Sequence, residues 1–315
     1  LTLQENAAGA SGAVSLQGNV EAGTLTTFAQ AYDVSLTGAV NSITTDTTFL
    51  NTGAITVGDE STDSSTFVGG LSTTAGGTEN FAGTVAATDN QSDIGVASVT
   101  ADATIDGGTG AINTGALTVA DAATLTVGTG AVGAPTIASV TGANGGGAAS
   151  NLTLNSTGAA SVGAVGTNIG TVTVTQSGGT TFSSTVDAVA VTLTNTTGTI
   201  QFDGALTATD LNTAAQGYGV SLLGGSTISN AVTFSNTGTT QIGDANGDTN
   251  TFNGGVTATA GAVTASGSVV TSEDDLALGA VTLVDAQTLT LDTAYTGGGN
   301  ITVASLTGVT GGGSE

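Results

Sequence analysis

The chain has 315 residues, 24 of them Asp or Glu, and no Lys, Arg, His, Cys, Met or Trp, which gives a formal net charge of −24. General acid–base and nucleophilic sites draw mainly on His, Cys and Lys, or on a Ser activated by such a base, so most enzyme chemistry is excluded. Phosphate backbones are bound through Lys and Arg, so nucleic acid is excluded as a partner.

Short strands with one buried face are predicted along the whole chain, because aliphatic or β-branched residues alternate with Thr or Ser. In chain order these runs lie at 1–3, 34–36, 55–57, 117–119, 125–127, 152–154, 172–174, 191–193, 289–291 and 301–303. Clusters of Gly, Asn, Asp and Ser separate them and supply tight turns. No run has a helical period, so the predicted class is all-β.

Internal repeats relate the two halves of the chain. Residues 48–76 align without a gap to residues 233–261, and the match extends upstream with a one-residue slip. We therefore treat 1–315 as one continuous β-repeat region with related segments 32–76 and 218–261. It is expected to be a whole subunit or a segment of a longer chain.

A shorter repeat unit, Phe-x-(Gly or Ser)-x-(Val or Leu), recurs in both halves. It begins at Phe67, Phe81, Phe182, Phe202 and Phe252. Several Phe residues are spaced by roughly 20 residues, and a unit of that size holds two or three short strands that bury a core only by stacking on their neighbours. This pattern predicts that Phe67 and Phe252 occupy equivalent inward positions.

The predicted fold is a parallel β-solenoid of about 15 short turns, from roughly 20 residues per turn. The alternative is a series of tandem antiparallel β-sandwich domains, which also show a turn every few residues. Such domains usually have a buried Trp or Tyr and a much longer repeat. The solenoid is favoured because the chain has no Trp and only 3 Tyr.

The repeat units resemble a known group of proteins. The segments TFVGGLSTTAG, QFDGALTATD and TFNGGVTATAG, together with the Asn-Thr-Gly turns, are similar to the β-strand repeats of large bacterial surface and secreted proteins. These include filamentous-haemagglutinin-like β-solenoid adhesins and Gly- and Thr-rich surface-layer or filament proteins. The resemblance implies a secreted solenoid at the cell surface. The chain departs from that group in lacking every Lys and Arg and a Gly-Gly-x-Gly-x-Asp calcium array.

One turn carries oxygen ligands at every second position, a spacing that lets a loop wrap a hard cation such as Ca²⁺. The residues are Asp244, Asn246, Asp248 and Asn250. The related turn of the first half contains Asp59 and Asp63. Two interpretations stay open for both turns: a calcium site, or a polar turn in which Asp and Asn bond to their own backbone. A second acidic cluster lies at 273–275.

These observations predict a structural protein of an extracellular filament or surface coat, or the shaft of a cell-surface adhesin. Minor alternatives are a carboxylate-only polysaccharide-active enzyme, since carboxylate pairs suffice for glycoside hydrolysis, and an ice-binding protein, although the Thr residues recur at irregular spacing. We expect no enzyme activity, and a location outside the cell or on its surface.

The expected partners are further copies of the chain in a head-to-tail homopolymer, or the rest of a larger surface protein. The alternating runs at 1–3 and 301–303 have no Lys, Pro or helix beside them, although such features normally protect strand edges. Divalent cations are also expected, because carboxylates without protein countercharge attract them. Membrane insertion is not expected, because no apolar run reaches about 18 residues.

Overall fold

The computed structural model describes residues 1–3, 11–130, 133–293 and 297–308. These residues form strands, turns and bends and contain no helix, so the predicted all-β class is confirmed. The chain divides into two compact units, unit 1 (Leu1–Ser161) and unit 2 (Val162–Glu315).

Unit 1 consists of short strands joined by tight corners. They are β1 (Ala13–Leu16), β2 (Val20–Ala22), β3 (Asp33–Leu36), β4 (Val40–Ile43), β5 (Thr47–Thr48), β6 (Ile55–Val57), β7 (Ser64–Phe67), β8 (Leu71–Ser72), β9 (Glu79–Ala86), β10 (Ser92–Ile94), β11 (Ala97–Asp106), β12 (Ile112–Val119), β13 (Thr124–Val127), β14 (Pro135–Gly142) and β15 (Ser150–Asn155).

Unit 2 contains the remaining strands. They are β16 (Ala160–Ser177), whose first two residues belong to unit 1, β17 (Thr180–Phe182), β18 (Val186–Thr196), β19 (Thr199–Phe202), β20 (Leu206–Thr213), β21 (Gly219–Leu222), β22 (Ser226–Ile228), β23 (Val232–Thr233), β24 (Thr240–Ile242), β25 (Thr249–Phe252), β26 (Val256–Ala258), β27 (Val263–Ala265), β28 (Gly267–Thr271), β29 (Leu276–Leu283), β30 (Leu289–Asp292) and β31 (Ile301–Thr307).

In unit 1, strands of successive turns stack in three parallel columns. The first column runs through β1, β3, β6 and the beginnings of β9 and β11. The second runs through β2, β4, β7, the ends of β9 and β11, then β13 and β15. The third runs through β5, β8, β10 and the beginnings of β12 and β14. This is the wall of a three-sided solenoid.

Unit 2 has the same three columns. The first runs through β17, β19, β21, β24, β27 and the end of β29. The second contains the beginnings of β18 and β20, then β22, β25, β28 and β30. The third includes β23, β26 and the beginnings of β29 and β31. The described pairs are parallel, so the antiparallel sandwich alternative is wrong.

Alternation along each strand builds the core. In β13, Leu125 and Val127 are fully buried, whereas Thr124 and Thr126 face outward. Successive side chains of a strand point to opposite faces, so the Thr-aliphatic pattern places one row inside and one outside. The two units together contain about 14 turns, and the predicted solenoid is confirmed.

The Phe-x-(Gly or Ser)-x-(Val or Leu) unit encodes a corner. Phe252 ends β25 and Val256 begins β26, and both are buried on either side of the bend. Phe67 and Leu71 do the same in unit 1. Gly70 (φ 114°) and Gly255 (φ 92°) precede the second strand in a conformation that favours Gly. The unit therefore marks a bend, which recurs on more than one side of the solenoid.

The two related segments fold alike. Phe49 and Phe67 meet edge to face at 6.2 Å, and Phe234 and Phe252 meet at the same 6.2 Å. The predicted equivalence of Phe67 and Phe252 is confirmed, because both are fully buried. Tyr218, buried within unit 2, accepts a hydrogen bond from the Ala214 N–H (2.8 Å), as Tyr32 does from Phe28 N–H (2.8 Å) in unit 1.

Candidate functional site

The candidate calcium turn of unit 2 lies between β24 and β25. The Asp248 carboxylate accepts hydrogen bonds from the Asp244 and Ala245 N–H groups, both at 2.8 Å. Partial desolvation is the main cause of the raised pKa of Asp244, and the neighbouring Asp248 carboxylate raises it further. Asp248 therefore closes the turn, and Asp244 is the carboxylate beside it.

The equivalent turn of unit 1 repeats this geometry. The buried Asp63 accepts hydrogen bonds from the Asp59 and Glu60 N–H groups, both at 3.0 Å. The hydrogen bond from the Asp59 N–H is the main cause of the lowered pKa of Asp63. In both units the second Asp of the turn thus bonds to its own backbone, which is the geometry of the polar-turn interpretation.

The two Asn residues of the predicted site have different surroundings. Asn246 Oδ1 accepts hydrogen bonds from the Thr288 N–H (2.6 Å) and hydroxyl (2.9 Å), so it ties this turn to the next one. Asn250 lies inside β25, fully buried, and its Oδ1 accepts a hydrogen bond from the Ser226 hydroxyl at 2.8 Å. The structure therefore brings Asp244 and Asp248 together and directs Asn250 into the core.

No group of three or more Asp or Glu side chains arranged to hold a metal occurs in the described part of the chain. Calcium binding at Asp244 and Asp248, or at Asp59 and Asp63, stays a prediction. The polar turn and a weakly held cation are compatible, because a carboxylate has four lone-pair sites and the backbone bonds to Asp248 use one oxygen.

The acidic cluster 273–275 lines a polar groove of about 350 Å³ in unit 2. Asp275 Oδ1 accepts hydrogen bonds from Asn300 N–H (2.8 Å) and from its side-chain amide (3.1 Å). Glu273 has a positive φ of 69°, the left-handed conformation found in tight bends. The Asp275 carboxylate therefore joins two turns in the same way that Asn246 does.

Sequence spacing did not predict a row of outward hydroxyls on the second column of unit 1. The stacked residues are Ser64, Thr84, Thr104, Thr126 and Thr153. Part of this row lines a polar groove of about 250 Å³ beside Asp102. The turns differ in length, yet parallel register brings these residues into one line. Ice binding, the minor alternative suggested by the Thr residues of the sequence, stays a prediction.

An apolar hollow of about 390 Å³ lies on the last described turn of unit 2. It is lined by Leu283, Thr288, Leu289, Leu291, Val303 and Leu306. Within β31, Ile301 is 47% exposed and Leu306 is 56% exposed. Aliphatic side chains that fill the core in other turns are uncovered here.

Sequence reasoning also missed Glu79, a buried carboxyl in unit 1. Its signal was available: Glu79 and Phe81 are two residues apart in one strand and so point to the same side. Both are buried.

Across the described ranges, no helix has the length and apolar character needed to span a bilayer. No protein family, curated protein or solved structure matches the chain.

Proposed function

We propose that this chain is a structural protein whose stacked β-turns form part of an extracellular filament or surface coat. The observation that carries the proposal is the repeated, apolar-cored parallel solenoid in both units. Phe182 and Phe202 show its principle: they are register partners in successive turns, with rings stacked 4.8 Å apart. Each turn buries its core against the next one, so the architecture favours extension along one direction.

The chemistry of the side chains supports the same conclusion. The sequence has no Lys, Arg, His or Cys, and several of its carboxylates accept hydrogen bonds from the backbone of turns. A carboxylate bound in this way stabilises a bend, and the sequence supplies no His, Lys or Cys to act beside it. The location outside the cell is inferred from the resemblance of the repeat units to surface proteins.

The apolar hollow of unit 2 supports the proposed partner. Strands β30 and β31 pair with β28 and β29, and within the described residues no further strand is paired with them. A strand edge without a partner can pair with a further strand. A further β-turn placed there would cover Ile301 and Leu306. We propose that another copy of the chain, or the rest of a larger surface protein, supplies it.

Assembly of the purified chain tests this proposal. Light scattering and electron microscopy at high protein concentration, with calcium present, are expected to show polymers with a regular subunit repeat. Leu306→Asp should prevent assembly, because it places a charge in the apolar contact. Val189→Asp is the matched control, since Val189 is 54% exposed and lies outside the hollow.

The native protein remaining monomeric under these conditions would contradict the filament proposal. Isolated particles displayed on a cell surface would instead favour the adhesin shaft. Equal assembly of the Leu306→Asp and Val189→Asp variants would exclude the hollow as the contact surface.

A further inference from the structure

Glu79 occupies a core position of unit 1. In the first column it is the register partner of Ile55 in the preceding turn and of Ala97 in the following turn. It is 1% exposed. A carboxyl at this position displaces an aliphatic side chain from the interior, where an unpaired charge is strongly unfavourable.

Two donors hold the Glu79 carboxyl. Its Oε2 accepts hydrogen bonds from the Thr73 hydroxyl (2.6 Å) and from Gly95 N–H (3.2 Å). Thr73 precedes the corner between β8 and β9, and its carbonyl accepts a hydrogen bond from Gly76 N–H (2.9 Å). Glu79 therefore fastens this corner to the next turn.

No cationic side chain exists anywhere in the chain to neutralise an ionised Glu79. Burial is the dominant effect and raises the pKa of Glu79 to about 7, although the bonds from Thr73 and Gly95 act in the opposite direction. Burial therefore favours the neutral, protonated form of the Glu79 carboxyl.

Other acidic groups do not face Glu79 from the neighbouring strands. Strands β6, β7 and β8 contain no titratable residue. Strand β10 carries Asp93 and β11 carries Asp102 and Asp106, and all three lie in outward-facing rows. None of them contributes to the pKa of Glu79.

The related segment of unit 2 shows what the fold accepts at these positions. Thr73 aligns with Ala258 in the gapless repeat. The register partner of Thr240, which is equivalent to Ile55, is Val263, so Val263 takes the place of Glu79. Ala258 and Val263 are both buried. The Thr73 hydroxyl and the Glu79 carboxyl thus occur together in the unit 1 segment, and both are missing from the related segment of unit 2.

We propose that Glu79, Thr73 and Gly95 form a proton-binding switch that keeps the β8–β9 corner closed while the carboxyl is neutral and loosens it when the carboxyl ionises. The switch belongs to unit 1 and does not depend on the proposed filament function. It makes the stability of this unit depend on pH in a range where ordinary carboxyl groups do not titrate.

The direction of the effect follows from linkage. Between the ordinary pKa of 4.5 and the folded value of about 7, the folded state binds more protons than the unfolded state. The stabilising contribution of protonated Glu79 is therefore greatest below this range, falls as pH rises through it, and is lost above it.

Amide hydrogen exchange of the full chain tests the switch. Protection factors, which remove the intrinsic pH dependence of exchange, are compared at about pH 5.5 and about pH 8.5. Protection around the corner (residues 71–97) is expected to fall by roughly tenfold or more at the higher pH, since one pKa unit corresponds to a tenfold change. Protection in residues 256–281 of unit 2 is the internal control and should not fall.

Two variants sharpen the test. Glu79→Gln keeps the acceptor oxygen and cannot ionise, so it should retain high protection at both pH values. The double variant Thr73→Ala, Glu79→Val copies the unit 2 residues and should also lose the pH response while remaining folded. A wild-type corner with pH-independent protection, or an undiminished response in either folded variant, would overturn the proposal.

Discussion

Asp248 stabilises its turn through hydrogen bonds from two backbone N–H groups, Asp244 and Ala245. Both donors are exposed, so water can take the place of the lost acceptor, and the net cost is that of an ordinary hydrogen bond, about 0.5 to 1.5 kcal/mol. We therefore expect Asp248→Ala to lower the free energy of unfolding by that amount even with chelator present, as measured by urea denaturation. Asp244→Ala is the control: it removes the neighbouring like charge and leaves both bonds intact. Equal losses in the two variants would contradict this assignment.

The same pair separates a cation from a polar turn. A cation bound between Asp244 and Asp248 stabilises the folded state by RT ln(1 + [L]/Kd), about 2.7 kcal/mol at 100 times Kd. Calcium should then raise the melting temperature of the native chain at low ionic strength. Asp244→Asn should reduce this increase. A melting temperature that calcium and chelator leave unchanged would show that the turn binds no calcium.

At the scale of the element, the Phe residues of the corner carry much of the packing energy. Phe67→Ala and Phe252→Ala should each cost roughly 3 to 5 kcal/mol in the free energy of unfolding, because both leave a cavity in a fully buried core. Phe28→Ala is the matched control, since Phe28 is 37% exposed. Denaturant unfolding of the three variants measures the difference. A loss for Phe67 no larger than that for Phe28 would contradict its core role.

The strands were predictable because alternation is a local pattern. Which strand each one pairs with was not predictable in the same way. The alternation at 125–127 identifies the buried face from the sequence alone, and these residues lie within β13. The row of outward Thr residues depends on which turns stack, and unequal corner lengths conceal this in the sequence. Parallel stacking followed from the repeats, because a short unit has to bury its core against a copy of itself.

The predicted calcium turn shows the limit of spacing arguments. Positions 244, 246, 248 and 250 alternate, but only 250 lies within a strand. The first three belong to a bend, where alternation along the sequence no longer determines which way a side chain points. Of the four residues, only Asn250 therefore points into the core. Glu79 was missed for a related reason: acidic residues were expected at turns, yet this one follows the inward phase of Phe81.

At the scale of the whole molecule, charge and stacking oppose each other. A net charge of −24 without any cationic side chain repels other copies of the chain. Salt screens this repulsion, with a Debye length of about 10 Å at 0.1 M ionic strength. Assembly should therefore increase with ionic strength and increase further with divalent cations, as light scattering across a salt series would show. Assembly that weakens as salt is added would contradict this view.

The direction of the strands in the assembled protein shows whether the turns stack along the filament. X-ray diffraction from oriented fibres measures it, since parallel turns stack with a strand spacing of about 4.8 Å. Stacked turns predict that this reflection lies along the fibre axis, together with a long axial repeat from one chain to the next. A reflection at this spacing that lies across the fibre axis would contradict stacking of the turns along the filament.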